Sequence, residues 1–460
     1  MRVRIRIAEE IASSFVIDES WLEELATWLA IPSVSADPAH RVDVRRAGDW
    51  VRDFLRSSGG DADVVDWNGQ PLVIGELHAS ARDGDAPTVL CYGHFDVQPA
   101  DPLELWQSPP FEATVRDGWL YARGAADDKG QLFLLLKAAA ELARAGELPV
   151  NVRFLCDGEE EVIGTSAVEY LATDDRGADA AVVFDSGFHR RGVPVFNIAT
   201  RGLCHFHVRV ETASRDLHSG MFGGAALNAT HALLDTLAAV LPRDGVLPSA
   251  LRAGAAPPTE AELVDWLLLE PGAKVLAAQG AQPADLAAAD AFYLRTWAAP
   301  AVDVHGLAGG SPYVQKTIVP SLAEANVSIR LAPGQDVETI AAALERLLMD
   351  AVPPGATIEL TRTASSPPGF VDPDSHVVRL GLDAFEHVLG VRPLLVRGGG
   401  TLPIVPALVA KGIPTLLTGF DLPEGNAHAP NERISLELIE LGEASARELF
   451  RRLTQLGREL

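Results

Sequence analysis

The chain has 460 residues, 47% hydrophobic and 22% charged, with 38 basic against 63 acidic side chains and a net charge of −25. That length allows two or three domains, and such acidity argues against nucleic acid or an anionic membrane as a partner. Three cysteines, Cys91, Cys156 and Cys204, supply no disulfide framework and point to a reducing, cytoplasmic compartment.

At the start, Arg2, Arg4 and Arg6 alternate with apolar residues, but Glu9, Glu10 and Asp18 interrupt any apolar region behind them. No secretory signal is read there, and no apolar run further on is long enough to span a membrane. Trp21 to Ala30 carries Trp21, Leu22, Leu25, Trp28 and Leu29 at helical spacing, and Pro32 stops it. Arg45 to Arg56 predicts a second helix. Asp63 to Trp67, Leu72 to Leu77, Thr88 to Tyr92, Trp119 to Ala122, Val150 to Leu155 and Ala180 to Phe184 predict strands, with a helix from Asp128 or Lys129 through Arg144. Strands alternating with helices imply an α/β domain built on a largely parallel sheet, which gathers ligands at the carboxyl ends of its strands.

The pattern then changes. Arg201 to Glu211 alternates polar and apolar residues, as a half-exposed strand does. Asp216 to Gly224 predicts a Gly-rich turn, and Ala225 to Val240 a helix. Residues 250 to 300 are Ala/Pro-rich and predict mostly helix. A strand over Asn326 to Leu331, a helix over Val337 to Met349 and a strand over Thr357 to Thr363 complete an inserted α+β domain, 201–365. Ser365 to Pro373 predicts the return linker. Residues 1–200 and 366–460 then form the first, discontinuous domain, closed by a helix at His376 to Val388, an apolar run at Pro414 to Gly419 and a helix at Ser435 to Glu459.

Chemistry concentrates at the predicted strand ends. Cys91-Tyr92-Gly93-His94-Phe95-Asp96 follows an apolar strand. His94 and Asp96 are two residues apart, so on extended chain they face one side, an imidazole with a carboxylate behind it to fix its tautomer. Asp127 lies between a strand and a helix. Glu159-Glu160-Glu161 follows a second strand, Asp185 ends a third, and His428 sits in the last loop. Each acid alone is as readily a solvated group or a helix cap. Together with two imidazoles they suit zinc, with manganese or cobalt as alternatives, better than magnesium or calcium. Five ligands hold two ions only if one carboxylate bridges, which is the two-metal hydrolase design. One acid then stays off the metals to take a proton from water, and the adjacent pair Glu160-Glu161 offers that division.

These motifs resemble the M20 metallopeptidases and, within them, the carnosinase-like cytosolic dipeptidases. The resemblance rests on Gly93-His94-Phe95-Asp96-Val97-Gln98-Pro99, Arg123 to Gly130, Gly158-Glu159-Glu160-Glu161, Asp185, Asp216-Leu217-His218-Ser219-Gly220, Ile329 to Gly334 and Ala427 to Glu432. It implies Asp127 as the bridging ligand, with His94 and Asp185 completing one metal and Glu161 and His428 the other. Glu160 would be the general base and Asp96 would orient His94. It further implies that the inserted domain is a lid that forms a homodimer, that His218 reaches the active site of the other subunit, and that Arg330, Gly400 and Thr401 hold the carboxylate of a small peptide. Val162 and Ile163 both precede Gly164, where the family usually has one residue, so the base and ligand within Glu159–Glu161 are assigned by counting from Gly158.

Other chemistries lack their parts. There is no Gly-x-Ser-x-Gly elbow and no His-Glu-x-x-His helix, and Cys91 has no neighbouring cation to activate it. Two alternatives remain: deacylation of N-acyl amino acids by the same metal chemistry and, more remotely, a non-catalytic metal-binding scaffold. Val97-Gln98-Pro99 resembles the dipeptidase branch more than the deacylases.

Overall fold

The computed structural model describes residues 6–7, 18–81 and 86–458, so most of the Arg-alternating start lies outside the described residues. The chain divides into two compact units. One comprises residues 1–198, 371–396 and 407–460, and the other 199–370 and 397–406.

The first unit is an α/β structure around a six-stranded sheet. Its order is Thr415–Thr418, Ala180–Phe184, Thr88–His94, Asn151–Asp157, Gln70–Leu77, Asp61–Trp67. The first four strands are parallel. They are short apolar runs buried almost throughout, as parallel strands covered on both faces must be. The last two pairings are antiparallel, so the sheet is mixed at one edge. Asn68 and Gly69, both at positive φ, make the tight hairpin that reverses the chain there. The helix Lys129–Ala145 is buried along most of its length and ends at Gly146 in the left-handed conformation, the usual glycine stop. The register matters most for function. His94 pairs with Asp157, and Asp185 directly follows the parallel neighbour Ala180–Phe184. Three chain ends therefore emerge side by side at the carboxyl edge of the sheet.

The second unit is an antiparallel sheet in the order Ala301–Ala308, Leu322–Leu331, Gly202–Glu211, Thr357–Ser366. One face packs against the helices Ala229–Leu237 and Val337–Ala351, burying Phe206, Val208, Val327, Ile329, Leu233, Leu344 and their neighbours. The predicted turn at Asp216–Gly224 contains a two-residue strand, Leu217–His218, paired with Ile318–Val319, and a short helix, Ser219–Phe222. The following helix starts only at Ala229, because the Asn228 side chain accepts from the Thr230 and His231 N–H groups and caps it. The segment 250–300 holds short helical pieces, Glu260–Trp266, Gly272–Ala278 and the π-helical turn Leu294–Ala298. Residues 397–406 belong to this unit. The Gly398 N–H donates to the Ala199 carbonyl, and the buried Arg397 guanidinium pairs with Glu262.

Candidate metal centre

His94 ends its strand with no exposed surface. Its Nδ1 lies 3.1 Å from the Asp96 carbonyl oxygen and 3.4 Å from Asp96 Oδ1. An N–H on Nδ1 has acceptors there, which directs Nε2 to the site. Nε2 is 2.9 Å from Asp127 Oδ1 and 4.0 Å from Asp185 Oδ1. The nearer acceptor is thus the Asp96 main chain. The Asp96 carboxylate instead accepts the N–H groups of Glu160, at 3.2 Å, and Glu161, at 3.1 Å, and so joins the acidic run to the His94 strand. Gly93 has to be glycine. A Cβ there would lie 2.6 Å from Asp128 Oδ2, the atom that accepts the His94 N–H.

Asp127 faces both imidazoles, one through each oxygen. Oδ1 meets His94, and Oδ2 lies 2.8 Å from His428 Nε2, which is also 3.1 Å from Glu161 Oε2. Ligand atoms of His94, Asp127 and Glu161 all lie within 4.8 Å of one another. Asp127 is held by the buried Glu432. Glu432 Oε1 accepts from the N–H groups of Ala126, at 2.8 Å, and Asp127, at 3.1 Å, while Oε2 takes the Gly124 N–H and pairs with Arg123. Glu161 is held by Gln98, whose main-chain N–H donates to Oε1 and whose Nε2 donates to Oε2 and to the Glu161 carbonyl.

The three neighbouring glutamates have three environments. Glu159 turns away, and its Oε1 accepts the Ser166 N–H at 2.8 Å, at the start of the helix Ser166–Thr173. Gly164 makes room for it, since a Cβ there would meet Glu159 Cγ at 2.1 Å. Glu161 touches His428. The Glu160 side chain makes no hydrogen bond or ion pair among the described residues, although the charges of His94, Asp185, Asp96 and Asp127 reach it.

Protein groups alone satisfy this cluster poorly. Burial pushes Asp185 up to about 7 against the pull of His94, and burial together with Asp185 and Asp96 raises Glu160 well above the usual carboxylate range. Burial opposes ionisation of Asp127, but its hydrogen bonds to His428 and His94 hold it far below that range. Hydrogen bonds to Asp127 and Glu161 raise His428 to about 10. Burial disfavours a charged His94, yet Asp127 and Asp96 overcome it and hold the ring well above its ordinary value. Two imidazole nitrogens and several carboxylates that repel one another are a donor set that divalent metal suits.

His94, Asp127, Glu161, Asp185, His428, Glu160 and Asp96 thus come together in the first unit. His218, Arg330, Gly400 and Thr401 lie in the second, with Arg330 Nη1 donating to Thr401 Oγ1 at 2.7 Å. In the sequence, Gln98 and Glu432 stand out only as members of the motifs, with no role of their own. Gln98 carried a usable signal, since His94, Asp96 and Gln98 keep a spacing of two. Glu432 carried none, because its partners are main-chain N–H groups some 300 positions away.

The profile of Peptidase family M20/M25/M40 matches residues 90–452. The chain belongs to this family. It is 28% identical over 444 residues to a cysteinylglycine-S-conjugate dipeptidase of Corynebacterium striatum, covering 92% of this chain and 93% of that protein. Among solved structures, human carnosine dipeptidase 1 superposes with a TM-score of 0.80 at 26% identity, covering 95% of this chain and 96% of that one. An M20 family metallo-carboxypeptidase from Sulfolobus solfataricus superposes at 0.85, also at 26% identity, covering 95% and 100%.

Proposed function

We propose that the chain is a two-metal peptidase that cleaves the amide bond of dipeptides or short peptides bearing a free C-terminal carboxylate. The observation that carries this reading is Asp127, with one oxygen turned to His94 and the other to His428. His94 and Asp185 would hold one ion, Glu161 and His428 the other, and Asp127 both. Zinc fits this nitrogen and oxygen set first, with manganese or cobalt as alternatives. Bound metals of this kind polarise a carbonyl and lower the pKa of water. Glu160, close to the ligands but bonded to none, takes the proton of the attacking water and returns it to the leaving amine. Its position beside Asp96 is fixed through its own main chain.

His218 accepts the Gly220 N–H on Nδ1 at 3.0 Å, which leaves Nε2 of the neutral ring as a donor for a developing oxyanion. Arg330 holds the peptide carboxylate with Gly400 and Thr401. The second unit acts as lid and dimerisation domain, so that His218 serves the site of the other subunit. Two segments joined by the pairing of Leu217–His218 with Ile318–Val319 expose Met221, Phe222, Tyr313 and Val314, an apolar surface that a partner subunit would cover. Three free, buried cysteines favour a cytoplasmic location.

The relatives named as dipeptidases support dipeptides as substrates. The metallo-carboxypeptidase likeness supports a second reading, removal of the last residue from longer peptides. A panel of dipeptides, tripeptides and N-acyl amino acids, assayed with zinc, manganese and cobalt, tests both. Dipeptides should be hydrolysed fastest. Preference for the tripeptides would favour the carboxypeptidase reading, and preference for N-acyl amino acids would overturn both.

A further inference from the structure

Arg201 joins the strand Val195–Thr200 to the strand Gly202–Glu211 and is bound on three sides to the glycine loop. Its N–H donates to the Gly400 carbonyl at 3.0 Å, its carbonyl accepts from Thr401 Oγ1 at 2.7 Å, and its Nε donates to the Gly399 carbonyl at 2.9 Å. Thr401 Oγ1 also accepts from Arg330 Nη1, so a single hydroxyl bridges the two arginines. Strand register brings the side chains to one face. Leu203 pairs with Arg330, and Arg201 lies two residues before Leu203.

Both guanidiniums are partly buried, and neither forms an ion pair with a carboxylate among the described residues. The charge of Asp303 reaches both, but burial outweighs it and lowers both below the ordinary arginine value, Arg201 to about 10, with Arg330 adding its repulsion. In a chain with 63 acidic and 38 basic residues, two like charges left together without a counter-ion are costly unless an anion joins them. Arg201 spends only Nε on protein, so both its Nη groups remain for a ligand, in the planar fork that matches carboxylate. Gly400 leaves the loop open, because a Cβ there would meet nothing within 4 Å.

We propose that Arg201 is a second carboxylate-binding residue, which together with Arg330 grips the C-terminal carboxylate of the peptide substrate. This rests on the peptidase reading above. The test is a cycle between protein and substrate on the metal-loaded enzyme. A dipeptide and the same dipeptide as its C-terminal amide are assayed with wild type, Arg201→Met, Arg201→Lys and Arg330→Met. A charge-assisted hydrogen bond contributes about 1.5–3 kcal/mol, or about 10–150-fold. Arg201→Met should therefore raise KM for the acid about tenfold or more, leave the amide nearly unchanged, and so erase much of the preference for acid over amide. Arg201→Lys keeps charge but loses the fork and should fall between. If Arg201→Met slows acid and amide equally, or leaves the preference intact while Arg330→Met abolishes it, Arg201 only supports the loop and the proposal is wrong. Wild-type enzyme that cleaves the dipeptide without preferring it to the amide would overturn the carboxylate subsite altogether. Wild-type enzyme that cleaves neither would overturn the peptidase reading itself, and the role for Arg201 with it.

Discussion

Glu160 and Glu161 are adjacent in sequence and differ in what holds them. Gln98 and His428 hold the Glu161 carboxylate, whereas that of Glu160 makes no hydrogen bond or ion pair among the described residues. Glu160→Gln should keep its full metal content and lose turnover by about 10²–10⁴-fold, while Glu161→Gln should lose metal. Metal analysis of the two purified variants beside their kcat values decides it, and the reverse result would exchange their roles. The imidazoles supply a pH prediction. A group whose pKa is raised in the fold holds its proton until pH passes the raised value, and His428 is raised to about 10. Metal entering at pH 8 must therefore expel that proton. Calorimetric titration of stripped protein in buffers of different ionisation enthalpy should show proton release, and affinity should rise with pH; no release would mean that the ring is neutral beforehand. His94 and Asp185 were legible as candidates because each stands at the end of an apolar strand, Asp127 because it lies between a strand and a helix, and His428 as the imidazole of the last loop. The fate of Glu159 was not, because its acceptor role is set by the Ser166 N–H, which no pattern of residue types announces.

At the level of elements, five chain segments converge at the candidate site, and buried polar contacts bind several of them to one another. Glu432 ties the His428 loop to the loop before the helix Lys129–Ala145 through Arg123 and three main-chain N–H groups. Glu432→Gln leaves Arg123 without its counter-charge, and breaking such a buried pair costs about 3–5 kcal/mol. Thermal or denaturant unfolding should show that loss, and competition with a chelator should show metal affinity weakened by about 10–100-fold, as for other groups that orient ligands. Unchanged metal affinity would reduce Glu432 to a structural brace. The parallel strands were readable as buried apolar runs. The antiparallel edge has its signal in Asn68-Gly69, a hairpin turn between the strands at Asp63 to Trp67 and Leu72 to Leu77. The placement of residues 397–406 in the second unit depends on Arg397 meeting Glu262, a contact between distant residues that composition does not reveal.

The whole molecule is expected to work as a dimer, with His218 acting in the partner's site. His218→Ala and Glu160→Gln should each be nearly inactive. When the two are mixed and allowed to exchange subunits, a mixed dimer has one site with both defects and one with neither, so activity should return to about a quarter of wild type. Exchange proven by mass spectrometry with no recovery would place His218 in its own chain's site or out of the reaction. The most direct measurement of all is a metal titration. Protein stripped by chelator should keep its circular dichroism spectrum, because the apolar strands and helices hold the fold and the ligands lie at loop ends. Its peptidase activity should be absent and return only as about two equivalents of zinc, manganese or cobalt are added. Full activity at one equivalent, or activity surviving complete removal of metal, would contradict the paired site around Asp127.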